Sequence, residues 1–325
     1  MLNYSLAVIG GFLFLVWGAD RFVIGAAATA RNLGVAPLII GLTIVGFGTS
    51  APEMLVSTVA ALQGNPGLAV GNAIGSNITN IALILGLTAV IMPLAINSKL
   101  LRRELPILTA AMVAGLFLLL DGELSRLDGM FLLLGLLAMV IWMVRTGMAE
   151  RNGDPLEAEF SDEIPSDMPM LKALFWVGIG LLVLLASSQL LVWGAVGIAK
   201  TLGVSDLIIG LTIVALGTSL PELAASIVSA LKGEHDIAVG NVIGSNLFNL
   251  LAVLGIPGLL HPLAIEAEVL SRDYPIMIGL TLIFFVMAFG FRGRGRINRI
   301  EGGLLLACYL GYQTLLYFSI VATTA

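Results

Sequence analysis

Two hexapeptides set the same chemistry at two points of the chain: GTSAPE from Gly48 to Glu53 and GTSLPE from Gly217 to Glu222. Each puts hydroxyls, a proline and a carboxylate in the middle of an apolar run. An acidic side chain at the centre of a bilayer is disfavoured by roughly 2.5 to 3.5 kcal/mol, so Glu53 and Glu222 are expected to face a polar cavity or a bound cation. Pro52 and Pro221 lack the N–H that would bond the carbonyl four residues back, which frees the carbonyls of Gly48 and Gly217. At that depth a freed carbonyl needs water, a neighbouring helix or an ion.

Helical spacing sorts the remaining oxygens into stripes. Thr49, Glu53 and Ser57 recur every four residues, as do Thr218, Glu222 and Ser226. Further along each copy, Asn72, Ser76 and Asn80 repeat the interval and are matched by Asn241, Ser245 and Asn249, with Asn77 and Asn246 on the flank. Hydroxyl, amide, backbone and carboxylate oxygens are ligands for hard cations such as Na⁺ and Ca²⁺. With two histidines and one cysteine in the chain, there is no ligand set for Zn²⁺ or Cu⁺ and no disulfide framework. The serines and threonines have no His or Lys base beside them at depth, so an enzyme is not expected, and no cofactor is called for.

The elements that must position these residues follow from composition. Of 325 residues, 58% are hydrophobic and 11% charged, against roughly a quarter charged in a soluble domain, so most of the chain lies in a bilayer. The net charge of −5 is scattered and offers no basic face for nucleic acid; the expected partners are inorganic cations and lipid. Breaking the chain at charges and turn residues gives ten apolar segments, near residues 4–30, 37–62, 67–93, 104–120 and 127–147, then 171–199, 206–231, 236–262, 273–291 and 299–321. Residues 148–170 form an acidic, proline-containing stretch read as a solvated linker. The N-terminal apolar run exceeds signal-peptide length and is read as the first span.

The two halves are copies. VAPLIIGLTIVGFGTSAPEM from Val35 aligns without a gap on VSDLIIGLTIVALGTSLPEL from Val204, and GNAIGSNITN from Gly71 on GNVIGSNLFN from Gly240. Five spans per copy is an odd number, so the second copy starts on the opposite side of the membrane and the repeats are expected to be inverted. The fold expected is an all-α polytopic membrane protein of ten helices: residues 1–147 as the first repeat, 148–170 as the linker and 171–325 as the second. The loops after spans 1, 3, 5, 7 and 9 carry most Lys and Arg, while Arg126, Lys200 and Arg272 lie on the other side. The positive-inside rule then makes the linker cytoplasmic and both termini external.

The paired GTS(A/L)PE segments, each followed by GN(A/V)IGSN, resemble the two alpha repeats of the calcium/cation antiporter superfamily, specifically its bacterial sodium/calcium exchanger branch, which is related to potassium-dependent exchangers. The resemblance implies a protein of the bacterial inner membrane that exchanges Na⁺ for Ca²⁺ by alternating access, with spans 1 and 6 sliding past a core of spans 2, 3, 7 and 8. Carried onto this sequence, it implies Glu53 and Glu222 as shared ligands, joined by Thr49, Ser50, Thr218 and Ser219, and by Ser76, Asn80, Ser245 and Asn249. Backbone carbonyls near Gly48 and Gly217 can add to the set. One departure is Asn249, where some members of the superfamily carry an acid. Two carboxylates balance one Ca²⁺ or two Na⁺, which leaves stoichiometry and K⁺ coupling open. Transport of another cation, coupling to H⁺ or K⁺, and a cation channel are the alternatives.

Gly67, Gly71 and Gly75 form a ladder for close helix packing. Asp20 and Arg21 are neighbours in the first span and, by helical geometry, are expected to point to different faces without pairing.

Overall fold

The computed structural model describes residues 2–34, 46–96, 99–149, 168–233, 235–289 and 295–324. The chain is a mostly helical membrane protein. Its elements in order are α1 (Leu2–Asn32), α2 (Gly46–Thr49), α3 (Ala51–Leu62), α4 (Pro66–Ile91), β1 (Leu94–Ile96), α5 (Lys99–Leu119), β2 (Glu123–Leu124) and α6 (Arg126–Ala149). There follow α7 (Met170–Leu202), α8 (Asp206–Thr218), α9 (Leu220–Lys232), α10 (His235–Leu260), β3 (Leu263–Ala264), α11 (Val269–Ala288), β4 (Gly295–Ile297) and α12 (Arg299–Thr324). Among the described residues, six helices are long and apolar enough to cross a membrane: α1, α4, α6, α7, α10 and α11. The bent pair α8–α9, which turns by 41°, makes a seventh. Most of the acidic stretch at 148–170 and the repeated segment at 35–45 lie outside the described residues.

Burial separates a core from a sheath. The most apolar windows of α4 and α10 are 78% and 89% buried, against 22% to 39% for α1, α6, α7 and α11. The two central helices are joined by Asn80 to Asn246 and Asn249 to Asn77. The residue numbers rise on one helix as they fall on the other, so α4 and α10 cross antiparallel. α4 runs parallel to α8, against which Gly71 and Gly75 pack so closely that a Cβ on either would meet the backbone of Leu207 or Leu211 within 3.0 Å.

Outside this core α1 and α7 pack along their length and antiparallel. A Cβ at Gly25 would meet the backbone of Ala173 and Val177 at 2.7 Å, and one at Gly180 the backbone of Phe22 at 2.6 Å. The same crossing corrects the reading of Asp20 and Arg21, whose side chains do meet, at 3.5 Å. Arg21 also lies over the ring of Trp176 on α7, 5.1 Å from its centroid. Its long side chain folds back along the helix surface, which Cβ direction alone does not anticipate.

Two short antiparallel ladders add to the helices. Leu94 to Ile96 of β1 pair with Gly295 to Ile297 of β4, and β2 pairs with β3 through Glu123 to Ala264 and Leu124 to Leu263. β1 follows α4 and β3 follows α10; because those helices are antiparallel, the ladders sit at opposite ends of the core.

Candidate cation-binding site

The carboxylates sit where helices restart. Ser50 separates α2 from α3 and Ser219 separates α8 from α9; both have ψ near zero (1° and 7°), and a proline lies in the first turn of the helix that follows. Pro is tolerated in a first turn because its missing N–H would be unsatisfied there anyway. Glu53 and Glu222 therefore also fall in first turns, where the helix dipole favours a negative charge. Val23 and Phe12 of α1 lie against Gly48 and Gly217, one beside each break.

All ten ligands expected from the sequence are buried, none more than 6% exposed. One hydroxyl serves the carboxylate of the other half: Ser219 donates to Glu53 Oε1 at 3.1 Å. Ser245 donates to Glu222 Oε1 within its own half, at 3.3 Å. Six oxygens in this set have no hydrogen-bond partner although they are buried: Glu53 Oε2, Glu222 Oε2, Ser50 Oγ, Ser76 Oγ, Asn80 Oδ1 and Asn249 Oδ1. Orphaned buried acceptors are costly, and a cation is the ligand that satisfies several at once. No group of three His, Cys, Asp or Glu side chains is arranged for a metal among the described residues, so the donor set is mixed oxygen with two carboxylates.

Around these residues runs a frame that helical spacing did not assign. Asn72 donates to the main-chain carbonyl of Glu53 at 3.1 Å and to Ser57 Oγ at 2.9 Å, while its own carbonyl accepts from Thr218 at 3.1 Å. Asn241 repeats this with Glu222 (3.2 Å), Ser226 (3.2 Å) and Thr49 (3.5 Å). Ser57 and Ser226 in turn donate to the carbonyls of Ala69 and Ala238. Ser57 and Ser226 thus close off the outer end of each stripe as helix links. The cross-half partnership of Asn72 and Asn241 left one trace in the sequence, their equal distance from the glutamates in both copies. π-helical turns at Thr79–Leu85 and Asn249–Val253 carry Asn80 and Asn249, and such turns shift side chains off the regular stripe.

With that geometry in place, comparison with known proteins is decisive. The sodium/calcium exchanger protein family profile matches residues 4–145 and 172–318. The chain belongs to this family. It is therefore a member of the calcium/cation antiporter superfamily, a family of cation transporters rather than of enzymes. Within the exchanger family it is 49% identical to the protein designated CaxA of Alkalimonas amylolytica, over 98% of this chain and all (100%) of that one. It is 42% identical to the inner membrane protein YrbG of Escherichia coli, over 98% of each. The sodium/calcium exchanger MaX1 of Methanosarcina acetivorans is 32% identical over 98% of this chain and 99% of its own. Among solved structures, the sodium-calcium exchanger NCX_Mj soaked with Na⁺ and Sr²⁺ has a TM-score of 0.67 at 33% identity, covering 95% of this chain and 97% of that one. The exchanger fold and the class of cargo, inorganic cations, follow from this.

Proposed function

We propose that this exchanger carries Na⁺ inward in exchange for Ca²⁺ at one shared site between Glu53 and Glu222. The observation that carries the reading is the pair of buried glutamates among buried oxygens without hydrogen-bond partners. Thr49, Ser50, Thr218 and Ser219 from the helix breaks, and Ser76, Asn80, Ser245 and Asn249 from α4 and α10, complete the ligand set. An empty dianionic site is costly to seal from water, so the site closes only when loaded, by one Ca²⁺ or by Na⁺. Mutual exclusion of the two ions at the same carboxylates is the coupling.

In this reading the chain crosses the membrane ten times, the broken pair α2–α3 together with α5 and α12 adding to the long apolar helices. Residues 1–147 and 171–325 are inverted halves around the 148–170 linker. The antiparallel crossing of α4 and α10 and the ladders at opposite ends of the core support that inversion. The bacterial inner membrane is the proposed location, with the linker cytoplasmic and both termini external.

The test is Na⁺-dependent uptake of radiolabelled Ca²⁺ into proteoliposomes. Glu53→Gln and Glu222→Gln are each expected to abolish exchange, and full exchange in either variant overturns the site. Leaving out Na⁺, K⁺ or the proton gradient in turn identifies the coupling ion. Single-channel conductance without obligatory exchange would replace the carrier with a channel.

A further inference from the structure

Four asparagines meet at the crossing of α4 and α10, all buried. The Asn80 amide nitrogen donates to Asn246 Oδ1 at 3.0 Å, and the Asn249 amide nitrogen donates to Asn77 Oδ1 at 3.2 Å. Asn77 is itself turned so that its nitrogen faces Met277 Sδ at 3.4 Å, leaving its oxygen toward Asn249. In both pairs the ligand asparagine has its nitrogen engaged across the two halves and its oxygen buried without a partner.

A carboxamide has a donor end and an acceptor end of nearly the same shape, and its terminal torsion is soft. Turned one way it offers a cation an oxygen; turned the other it offers an NH₂ group that repels the ion. A carboxylate has no such polarity, so an asparagine used as a cation ligand needs something to orient it. We infer that Asn77 and Asn246 are positioning residues that fix the amides of Asn249 and Asn80, each across the repeat boundary, with oxygen toward the transported cation. The inference rests on the proposal that Asn80 and Asn249 are ligands. It adds that each half of the protein sets the polarity of a ligand belonging to the other.

The experiment measures the apparent KM for Ca²⁺ and Na⁺ and the maximal rate per folded molecule, using full-length protein in proteoliposomes. Thermal unfolding in detergent counts the folded fraction. Asn77→Leu keeps the volume and removes the acceptor; it is expected to raise the cation KM about tenfold, with the maximal rate within about twofold. Asn77→Gln keeps an amide acceptor without adding charge and is expected to recover part of that loss. In an Asn249→Asp background, where there is no amide to turn, Asn77→Leu is expected to change KM by less than about twofold.

An equal rise in KM in both backgrounds assigns Asn77 a structural role and overturns the inference. So does an unchanged KM in Asn77→Leu when Asn249→Leu raises it. An unchanged KM in Asn249→Leu overturns the ligand assignment itself, which keeps the two failures apart. If Asn77→Leu does not fold, Asn246→Leu in the parent and in Asn80→Asp makes the same comparison on the other pair.

Discussion

The two halves of the site share one frame and differ in how their hydroxyls are spent. The asparagine frame is mirrored bond for bond in its links to the glutamates, the serines and its own pairs: Asn72 to the carbonyl of Glu53 and Asn241 to that of Glu222, Asn72 to Ser57 and Asn241 to Ser226, Asn80 to Asn246 and Asn249 to Asn77. The serine bonds to the carboxylates have no such image. Ser219 reaches Glu53 and Ser245 reaches Glu222, while their images Ser50 and Ser76 have no partner. Amide hydrogen bonds build the scaffold, and both copies make them. Hydroxyl-to-carboxylate bonds occupy the proposed ligands themselves, and such a bond, worth roughly 1 to 3 kcal/mol, is weak enough to be exchanged for a cation.

The largest expected effect tests the symmetric part. Glu53→Gln and Glu222→Gln should each lower exchange by at least about a hundredfold in the flux assay, because removing one of two charges leaves Ca²⁺ uncompensated in a dry site. A large difference between them would mean that only one carboxylate belongs to the shared site. Next come Asn72→Leu and Asn241→Leu, each of which deletes two donors and an acceptor. Both should lower stability by roughly 1 to 3 kcal/mol in thermal unfolding, and by similar amounts. Unequal losses would break the equivalence of the two frames.

The asymmetric part predicts smaller effects. Ser219→Ala removes a bond that is made, and Ser50→Ala one that is not. In the cation-free protein, Ser219→Ala should cost about 1 kcal/mol of unfolding stability, while Ser50→Ala is neutral to within about half of that. Equal effects would show that the two serines are interchangeable. Smallest is the contact of Arg21 with Trp176, which has no counterpart, since Leu190 stands at the image of Arg21 in the second half. Arg21→Leu should lower stability by about 0.5 to 1 kcal/mol without altering ion affinity.

Much of the candidate site was legible because a duplicated motif is read without any structure: a carboxylate, a proline and hydroxyls in an apolar run, twice, restrict both the location and the chemistry proposed for it. The spacing of Asn72, Ser76 and Asn80 likewise put three polar groups on one helix face. Periodicity orders residues along a helix and says nothing of how that helix is turned toward another. That is why the donation from Ser219 to the glutamate of the other half, and the bridges made by Asn72 and Asn241, had to come from the structure. The strands were invisible for a related reason. Leu94 pairs with Ile297 and Glu123 with Ala264, partners so distant in sequence, in elements so short, that no alternation or turn signal marks them. Asp20 and Arg21 failed on side-chain length: a backbone projection that separates two Cβ atoms does not separate a guanidinium from its neighbour.

Each ladder takes one strand from the first half and one from the second: β1 with β4, β2 with β3. A chain cut between α6 and α7 would give two fragments, each with two unpaired strand edges, one at either end of the core, and each edge is complementary to an edge on the other fragment. The molecule is in this sense a heterodimer whose subunits happen to be covalently joined, and co-expressed halves carry the means of finding each other in the correct register.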